Sequence, residues 1–487
     1  LEVSVIGSGF ASLASACYLA SSGAHVSVYE KNAQIGGRAR QFLKDGFKFD
    51  MGPTWYWMPD VYERFFYDFG RQITDYYTLQ RLDPAYRVYF GENDLIDIDG
   101  SISSIKDKFE SIEPGAAKKL DKFLKLAKRN YKVAMEDLVY KPGLSPLELV
   151  QKETILGVGQ FFKTIRQYVA QNFKDQRLRT ILEFPVLFLG AKPSQTPLFY
   201  SFMNHADFGL GTWYPEGGMK SVVDAIVQLA TELGVRFELN APVERILVDD
   251  QKSVSGIQVN GQIIPTQKIV SGADYKHSES LLNRNHRAYS ENYWDKKVLA
   301  PSALLFYVGF SKRLKNVLHH TLFFDTDFDQ HAEEIYDTPE WPSAPLFYAS
   351  FPSITDQSAA PNGSEAGIFL IPLAPDLEDT EVKRKEFFEI IIKRLEKLTG
   401  QELRSTILFS ESYGIQDFKT DYNSYRGNAY GLANTLMQTA FLRPRIKSKR
   451  VKNLYFTGQL TVPGPGVPPA LISGKIASEL LLKDSNV

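Results

Sequence analysis

The sequence predicts an α/β fold built on a parallel sheet. Three observations carry that expectation. A β-branched run near residue 1 is followed at once by a glycine-rich turn and an Ala-rich stretch, a block of similar texture lies in mid-chain, and a strand with a proline-opened helix closes the far end. At 487 residues the chain is long enough for about three domains, so a deep internal cavity is within reach.

Val3 to Ile6 reads as a strand, Gly7 to Ser12 as a glycine-rich turn, Leu13 to Ser21 as a helix and His25 to Tyr29 as the next strand. This is a βαβ unit, and it starts a parallel sheet. In mid-chain, Gly217 to Gly234 predicts a helix, Val235 to Asn240 a strand, Val243 to Val259 a hairpin of alternating residues, and Lys268 to Ser271 a strand leading into Gly272 and Asp274. Asn453 to Thr457 predicts a strand and Pro468 to Leu482 a helix, since proline suits a first turn. The three blocks are expected to assemble into one discontinuous domain, residues 1–85, 206–284 and 441–487.

Two insertions of different texture separate them, rich in Phe and Tyr, with lysine-rich helices and loops such as SITDQSAAPNGSEAG. Residues 86–205 are expected to form a helical subdomain facing membrane or substrate, and residues 285–440 a mixed-sheet substrate-binding domain. Ile155, Val158, Phe162, Ile165 and Val169 recur at helical spacing with Lys163, Arg166 and Gln167 between them. A helix packed on its own core is the first reading, and a membrane-facing helix the second. There is no internal repeat of solenoid type.

Fifty-six Lys and Arg balance 57 Asp and Glu, so no global field exists to hold nucleic acid. The one cysteine, Cys17, permits neither an internal disulfide nor a thiolate metal cluster and points to a reducing, cytoplasmic compartment. No run approaches the roughly 18 apolar residues of a membrane span. The opening LEVSVIG has no basic stretch or cleavage site, so no signal peptide is expected and membrane contact should be peripheral.

Gly7-x-Gly9-x-x-Ser12 sits between strand and helix, where bare backbone can approach a pyrophosphate at a positive helix end. Glu30 ends the second strand, where a carboxylate would accept from ribose hydroxyls. Gly36-Gly37-Arg38 follows, a second close approach with a guanidinium to pair a phosphate, which favours FAD over NAD. The final loop, Gly458 to Ala470, leads into a helix whose N-terminus would face the flavin and stabilise charge developing on it.

Together with the F49-D50-M51-G52-P53-T54 segment, these motifs resemble the FAD-dependent carotenoid desaturases of the bacterial phytoene desaturase type, within the amine oxidase and protoporphyrinogen oxidase flavoprotein fold. The resemblance implies a Rossmann-like FAD-binding domain. It also implies FAD held by Gly7, Gly9, Phe10, Ala11, Ser12, Glu30, Lys31, Gly37, Arg38, Gly52, Pro53 and Thr54, with Val243 at the adenine and Gly458, Gln459, Val467 and Pro468 along the flavin. Gln459, Leu460 and Val462 replace the small and polar residues usual in that loop, making the wall beside the flavin more apolar.

Such an enzyme moves a hydride from an allylic carbon of a long acyclic carotenoid to flavin N5 and then loses a proton, so positioning is its main task. No strong base is required, and none is singled out. The seven His show no metal-ligand spacing, and adjacent His319 and His320 are expected to point apart, so no metal is expected. No second strand-borne glycine motif exists for NAD(P)H, because G157-V-G159 lies in helical texture and G464-P-G466 in the last loop. Electrons should therefore leave to an acceptor such as a quinone or oxygen. W55-Y-W57, F161-F162 and F306-Y307 are candidate walls for an apolar ligand. Phytoene is the favoured substrate. Alternatives are a later-pathway 3,4-desaturase on a hydroxylated or monocyclic carotene, a carotene isomerase, another flavoenzyme of the amine oxidase fold, and a non-catalytic prenyl carrier.

Overall fold

The computed structural model describes residues 1–136, 138–149 and 159–485. Five parallel strands run in the order Leu454–Phe456, Lys268–Ser271, Glu2–Ile6, His25–Tyr29, Arg236–Glu238. The first strand is central, so the chain leaves it to one side and later returns to the other. The carboxyl end of Glu2–Ile6 is thus the switch point where α/β sheets bind ligands.

The helix after this strand is Phe10–Ser21, starting three residues before the sequence expectation. Gly9, extended at φ −73° and ψ 171°, is its N-cap, and Leu13 N already donates to Gly9 O at 2.9 Å. Gly and Ser composition marks a turn, but here the turn is completed by Gly7 to Gly9 alone. The helix packs against Val467–Lys483, where a Cβ added at Gly474 would lie 2.5 Å from Ala11 O. Met219–Glu232 lies alongside, with Cys17 buried and its Sγ 3.9 Å from Ile226 O.

A seven-stranded sheet runs Ile407–Tyr413, Ser302–Phe310, Glu365–Leu373, Phe347–Ser350, His320–Phe323, Tyr86–Gly91, Asp94–Ile98. It is mixed: His320–Phe323 and Tyr86–Gly91 pair in parallel and the other neighbours antiparallel. Its last two strands come from residues 86–98, a stretch whose texture reads as part of the helical insertion. Every residue of Ser302–Phe310 is buried. Leu304, Phe306 and Val308 pack with Phe387, Ile391 and Leu395 of the Glu381–Thr399 helix, and Ala303, Leu305 and Tyr307 face Phe47 and Phe49 on the other side.

Among the helices of residues 99–205, Ala116–Glu136 buries Leu120, Phe123, Leu124, Ala127, Tyr131, Ala134 and Met135 along one stripe, with lysines opposite. The helix expected over Ile155 to Val169 is not continuous. Ile155, Gly157 and Val158 lie outside the described residues, and the rest forms Gly159–Phe162 and Ile165–Asn172. Thr164 caps the second helix by accepting from Gln167 N at 3.2 Å, which restarts the helical phase. Ile165 and Val169 are therefore buried while Phe162 is 79% exposed.

Candidate active site

Four strands of the parallel sheet end in Ile6, Tyr29, Ser271 and Phe456, and the residues after them, Gly7, Glu30, Gly272 and Thr457, border one cavity of about 1080 Å³. Every expected cofactor contact except Ser12 lines it. Ser12 is fully buried behind the wall, where an added Cβ at Gly272 would lie 2.1 Å from its Oγ. Serine fits where a third glycine would normally stand because the facing residue is itself glycine.

Gly7 has φ +86° and donates its N–H to Tyr29 O at 2.8 Å, tying the first turn to the second strand. A Cβ placed on Gly9 would meet nothing within 4 Å, so its bare backbone faces open cavity. Glu30 is buried, and its Oε2 accepts from Ser8 N at 3.0 Å and Ser8 Oγ at 2.6 Å while Oε1 accepts from Asn32 N at 2.8 Å. The carboxylate is held rigidly with lone pairs to spare. Lys31 Nζ donates to Thr420 O at 2.6 Å, joining the glycine loop to the insertion.

Arg38 Nη2 donates to Ser424 Oγ at 3.2 Å, and its guanidinium lies 5.0 Å from the centre of the Tyr422 ring. Its Nε is buried without a partner, and burial lowers its proton affinity. A stranded donor on a buried cation fits an anion. In the amide orientation that satisfies its neighbours, Gln459 accepts from Arg38 Nη2 at 3.1 Å and Gly431 N at 3.3 Å and donates to Ala429 O at 3.2 Å. Gly52 lies against Arg38, where an added Cβ would be 2.4 Å from Arg38 O. Thr54 Oγ1 shares a hydrogen bond of 2.8 Å with Tyr348 OH. Gly458, at φ +102°, donates to Ser473 Oγ at 3.0 Å, and Gly466 caps the final helix, whose first residues Val467 and Pro468 border the cavity. Two glycine loops, a strand-end carboxylate and a helix N-terminus around one cavity fit a dinucleotide carrying a planar head group.

Asp50, within the segment next to Gly52, does a different task. Its Oδ2 accepts from Met219 N at 2.7 Å and its Oδ1 from Lys220 N at 3.3 Å, capping Met219–Glu232 from outside that helix. Burial pushes its carboxyl up to about 7.

The far part of the cavity is apolar, and the aromatic candidates divide. Trp55, Trp57 and Phe161 line it. Tyr56 stacks on Tyr62 at 4.1 Å, Phe162 is exposed, Phe306 faces Phe388 at 5.2 Å, and Tyr307 donates to Met51 O at 2.9 Å. Phe306 and Tyr307, adjacent on the Ser302–Phe310 strand, face opposite sides of the sheet. Phe328, His331, Ala332, Ile335 and Tyr336 also line the cavity from one face of the Phe328–Tyr336 helix. Their i, i+3, i+4, i+7, i+8 spacing is present in the sequence but hidden by the charged residues between them.

The two histidines do not point apart. Their ring centres are 4.5 Å from each other, because His319 precedes the His320–Phe323 strand and escapes its alternation. His319 Nδ1 bonds Thr355 Oγ1 at 2.8 Å, and His320 Nδ1 bonds Tyr348 OH at 2.6 Å while its ring stacks on Trp55 at 4.0 Å. Burial holds His319 down at about 3 and His320 well below the usual histidine range. Among the described residues no three His, Cys, Asp or Glu are grouped to hold a metal, and no helix is long and apolar enough to cross a membrane.

The family model described as flavin-containing amine oxidoreductase matches residues 10–482. The chain belongs to that family. It is an FAD-dependent oxidoreductase. A carotenoid 3,4-desaturase of Haloarcula japonica is 43% identical over 99% of this chain and 98% of its own length. A zeta-carotene-forming phytoene desaturase of Myxococcus xanthus is 32% identical over 99% of this chain and 94% of its own. The sequence resemblance to carotenoid desaturases therefore holds along the whole chain. Among solved structures, an oxidoreductase from Methanosarcina mazei matches with a TM-score of 0.65 at 17% identity, covering 98% of this chain and 100% of that one, which shows the shared fold.

Proposed function

We propose that this chain desaturates a long acyclic carotenoid, with the dinucleotide loops holding FAD and the apolar part of the same cavity holding the polyene. The observation that carries this reading is continuity: the glycine loops at the strand ends and the walls made by Trp55, Phe184, Leu187, Leu305 and Phe347 belong to one cavity. FAD supplies the hydride acceptor when bound. The chain's part is to orient the substrate and exclude water, with Gly7, Gly9 and Gly37 leaving room for phosphates, Glu30 facing ribose hydroxyls and Arg38 countering charge. Removal of a hydride from an allylic carbon leaves a conjugated cation acidic enough to lose its proton to a weak base. The 43% identity to a 3,4-desaturase favours a later carotenoid as substrate, with phytoene second.

Residues 1–85, 206–284 and 441–487 would form the cofactor domain in this reading, and a quinone or oxygen would take the electrons. A peripheral membrane position is supported by Leu144, Leu147 and Phe162, which are 40%, 76% and 79% exposed. They are neighbours in sequence of Gly143, Ser145, Glu148 and Phe161 on the cavity wall, so an apolar ligand could pass from lipid without crossing water. The test is anaerobic mixing of the flavin-loaded protein with liposome-borne carotenoids. Bleaching of flavin with growth of longer-wavelength polyene bands is expected; flavin that stays oxidised with every acyclic carotenoid offered overturns the proposal.

A further inference from the structure

We infer that Arg443, one layer behind the cavity wall, is a positioning residue for hydride transfer: it fixes the loop beside the flavin, and its charge favours the reduced cofactor over the oxidised one. The inference rests on the reading that the flavin lies along Gln459 and Val467, and adds to it a source for the bias.

The guanidinium is buried and ties two loops together. Its Nη1 donates to Gln459 O at 3.1 Å, and its Nη2 donates to Leu432 O at 3.0 Å and to Asn434 Oδ1. Gly464, at φ +136°, closes over the same group, since an added Cβ would lie 3.3 Å from Arg443 Nη2 and 3.1 Å from Asn434 Oδ1. Arg443 thus holds the final loop at Gln459 and meets it again at Gly464, and its partners Gln459 and Asn434 border the cavity.

All three acceptors are uncharged oxygens, and Nε is buried without a partner. Among the described residues no carboxylate pairs with it, and although burial pulls it down to about 10 it remains a cation at neutral pH. Tyr200 and Tyr293 are the titratable groups that support its charge. Lys297 is a second cation close enough to feel it, lowered first by burial and then by Arg443.

Uncharged acceptors satisfy the N–H groups but leave the charge without a counter-ion, and an unpaired buried cation is costly. A neutral amide could join the same carbonyls at a lower cost. Of the anions this fold receives, the pyrophosphate belongs to the Gly7 to Gly9 turn and Arg38. What remains for Arg443 is the charge gained on reduction: the allylic C–H bond breaks, its electron pair and hydrogen form the N5–H bond, the ring takes one negative charge, and the substrate cation then gives a proton to solvent. A fixed cation behind the loop, added to the helix N-terminus at Val467, stabilises that charge without moving during the step.

The test measures the midpoint potential of the bound flavin against reference dyes in the wild type, Arg443→Gln and Arg443→Lys. Glutamine keeps N–H donors for the carbonyls and removes the charge, whereas lysine keeps the charge and loses the fork. Arg443→Gln is expected to lower the preference for reduced over oxidised flavin at least about tenfold, which is about 30 mV for a two-electron couple, and Arg443→Lys to stay within about threefold of the wild type. A variant that purifies without flavin is titrated with oxidised and with reduced FAD, because the ratio of the two affinities gives the same quantity. An unchanged ratio in Arg443→Gln, or a ratio in Arg443→Lys as low as in Arg443→Gln, makes Arg443 a clamp alone and overturns the inference. If Arg443→Gln does not fold, Arg443→Lys decides, and a tenfold fall there overturns it. Val467→Glu tests the placement underneath: a carboxylate on that wall must lower the potential if the ring lies beside it. An unchanged potential in Val467→Glu overturns the placement, whereas a lowered one beside an unchanged Arg443→Gln overturns the role of Arg443 alone.

Discussion

A Cβ built on Gly37 would lie 3.1 Å from Gly9 Cα, so the two glycine loops, 28 positions apart, touch through bare backbone. A side chain would have different consequences at the two positions. Gly37 is closed by Gly9 and holds φ +56°, whereas the Cβ direction of Gly9 points into empty cavity. Gly9→Val is thus expected to fold with unchanged thermal stability and to purify without flavin. Flavin content read from the visible spectrum, beside the melting temperature, checks this. A yellow Gly9→Val protein would place the cofactor elsewhere.

Glu30→Gln tests the strand-end carboxylate. Ser8 N, Ser8 Oγ and Asn32 N all donate to Glu30, and a Gln amide would turn one donor group toward them. FAD affinity should fall by roughly 10- to 100-fold, in line with loss of one or two charge-assisted hydrogen bonds. Titration of apoprotein with FAD, followed by fluorescence, gives the value.

Gly272→Ala should destabilise by about 1–3 kcal/mol, the usual cost of overpacking, because its methyl would meet Ser12 Oγ. Adding Ser12→Gly should recover much of the loss, since the side chain in the way is removed. Denaturant midpoints of the two single variants and the double variant read the coupling.

The Asp207 carboxyl, donated to by Tyr86 OH at 2.8 Å, is pushed up to about 8 by burial. Between roughly pH 4 and pH 8 the folded protein keeps a proton that the unfolded chain has released, so this group lowers stability as pH rises through that window. Asp207→Asn should flatten the fall and gain most over the wild type at the alkaline end. Melting temperatures across pH 5 to 9 test it, and Asp50, raised in the same direction, should leave a residual slope in the variant.

Leu147→Glu combined with Phe162→Glu should abolish co-sedimentation with liposomes while leaving the melting temperature within about 1 °C, because both side chains are exposed. Retained liposome binding would move the membrane contact to another face.

The parallel sheet was legible because its strands carry short-range signals: β-branched runs bounded by glycine, with Lys268–Ser271 and His25–Tyr29 matching residue for residue. The cofactor loops were legible for the same reason, since their chemistry lies in contiguous motifs. What escaped was set by tertiary partners. Ser12 reads as a loop residue until Gly272 is seen opposite it, and Phe162 reads as core until Thr164 restarts the helix. The far wall escaped because its residues come from separate strands and one helix face, and no local pattern tells which side of the sheet between the Glu381–Thr399 helix and the cavity a residue faces.

The Phe10–Ser21 helix and one of its main packing partners, Val467–Lys483, are separated by about 450 residues of chain. At about 5–20 residues per second a ribosome needs roughly 20 to 90 seconds to cover the distance between them. During that interval Leu13, Ala14 and Cys17 lack part of their final cover, and the loop for the cofactor's phosphates has no closing helix. Closure of that loop by its last helix therefore waits until Val467–Lys483 has been made.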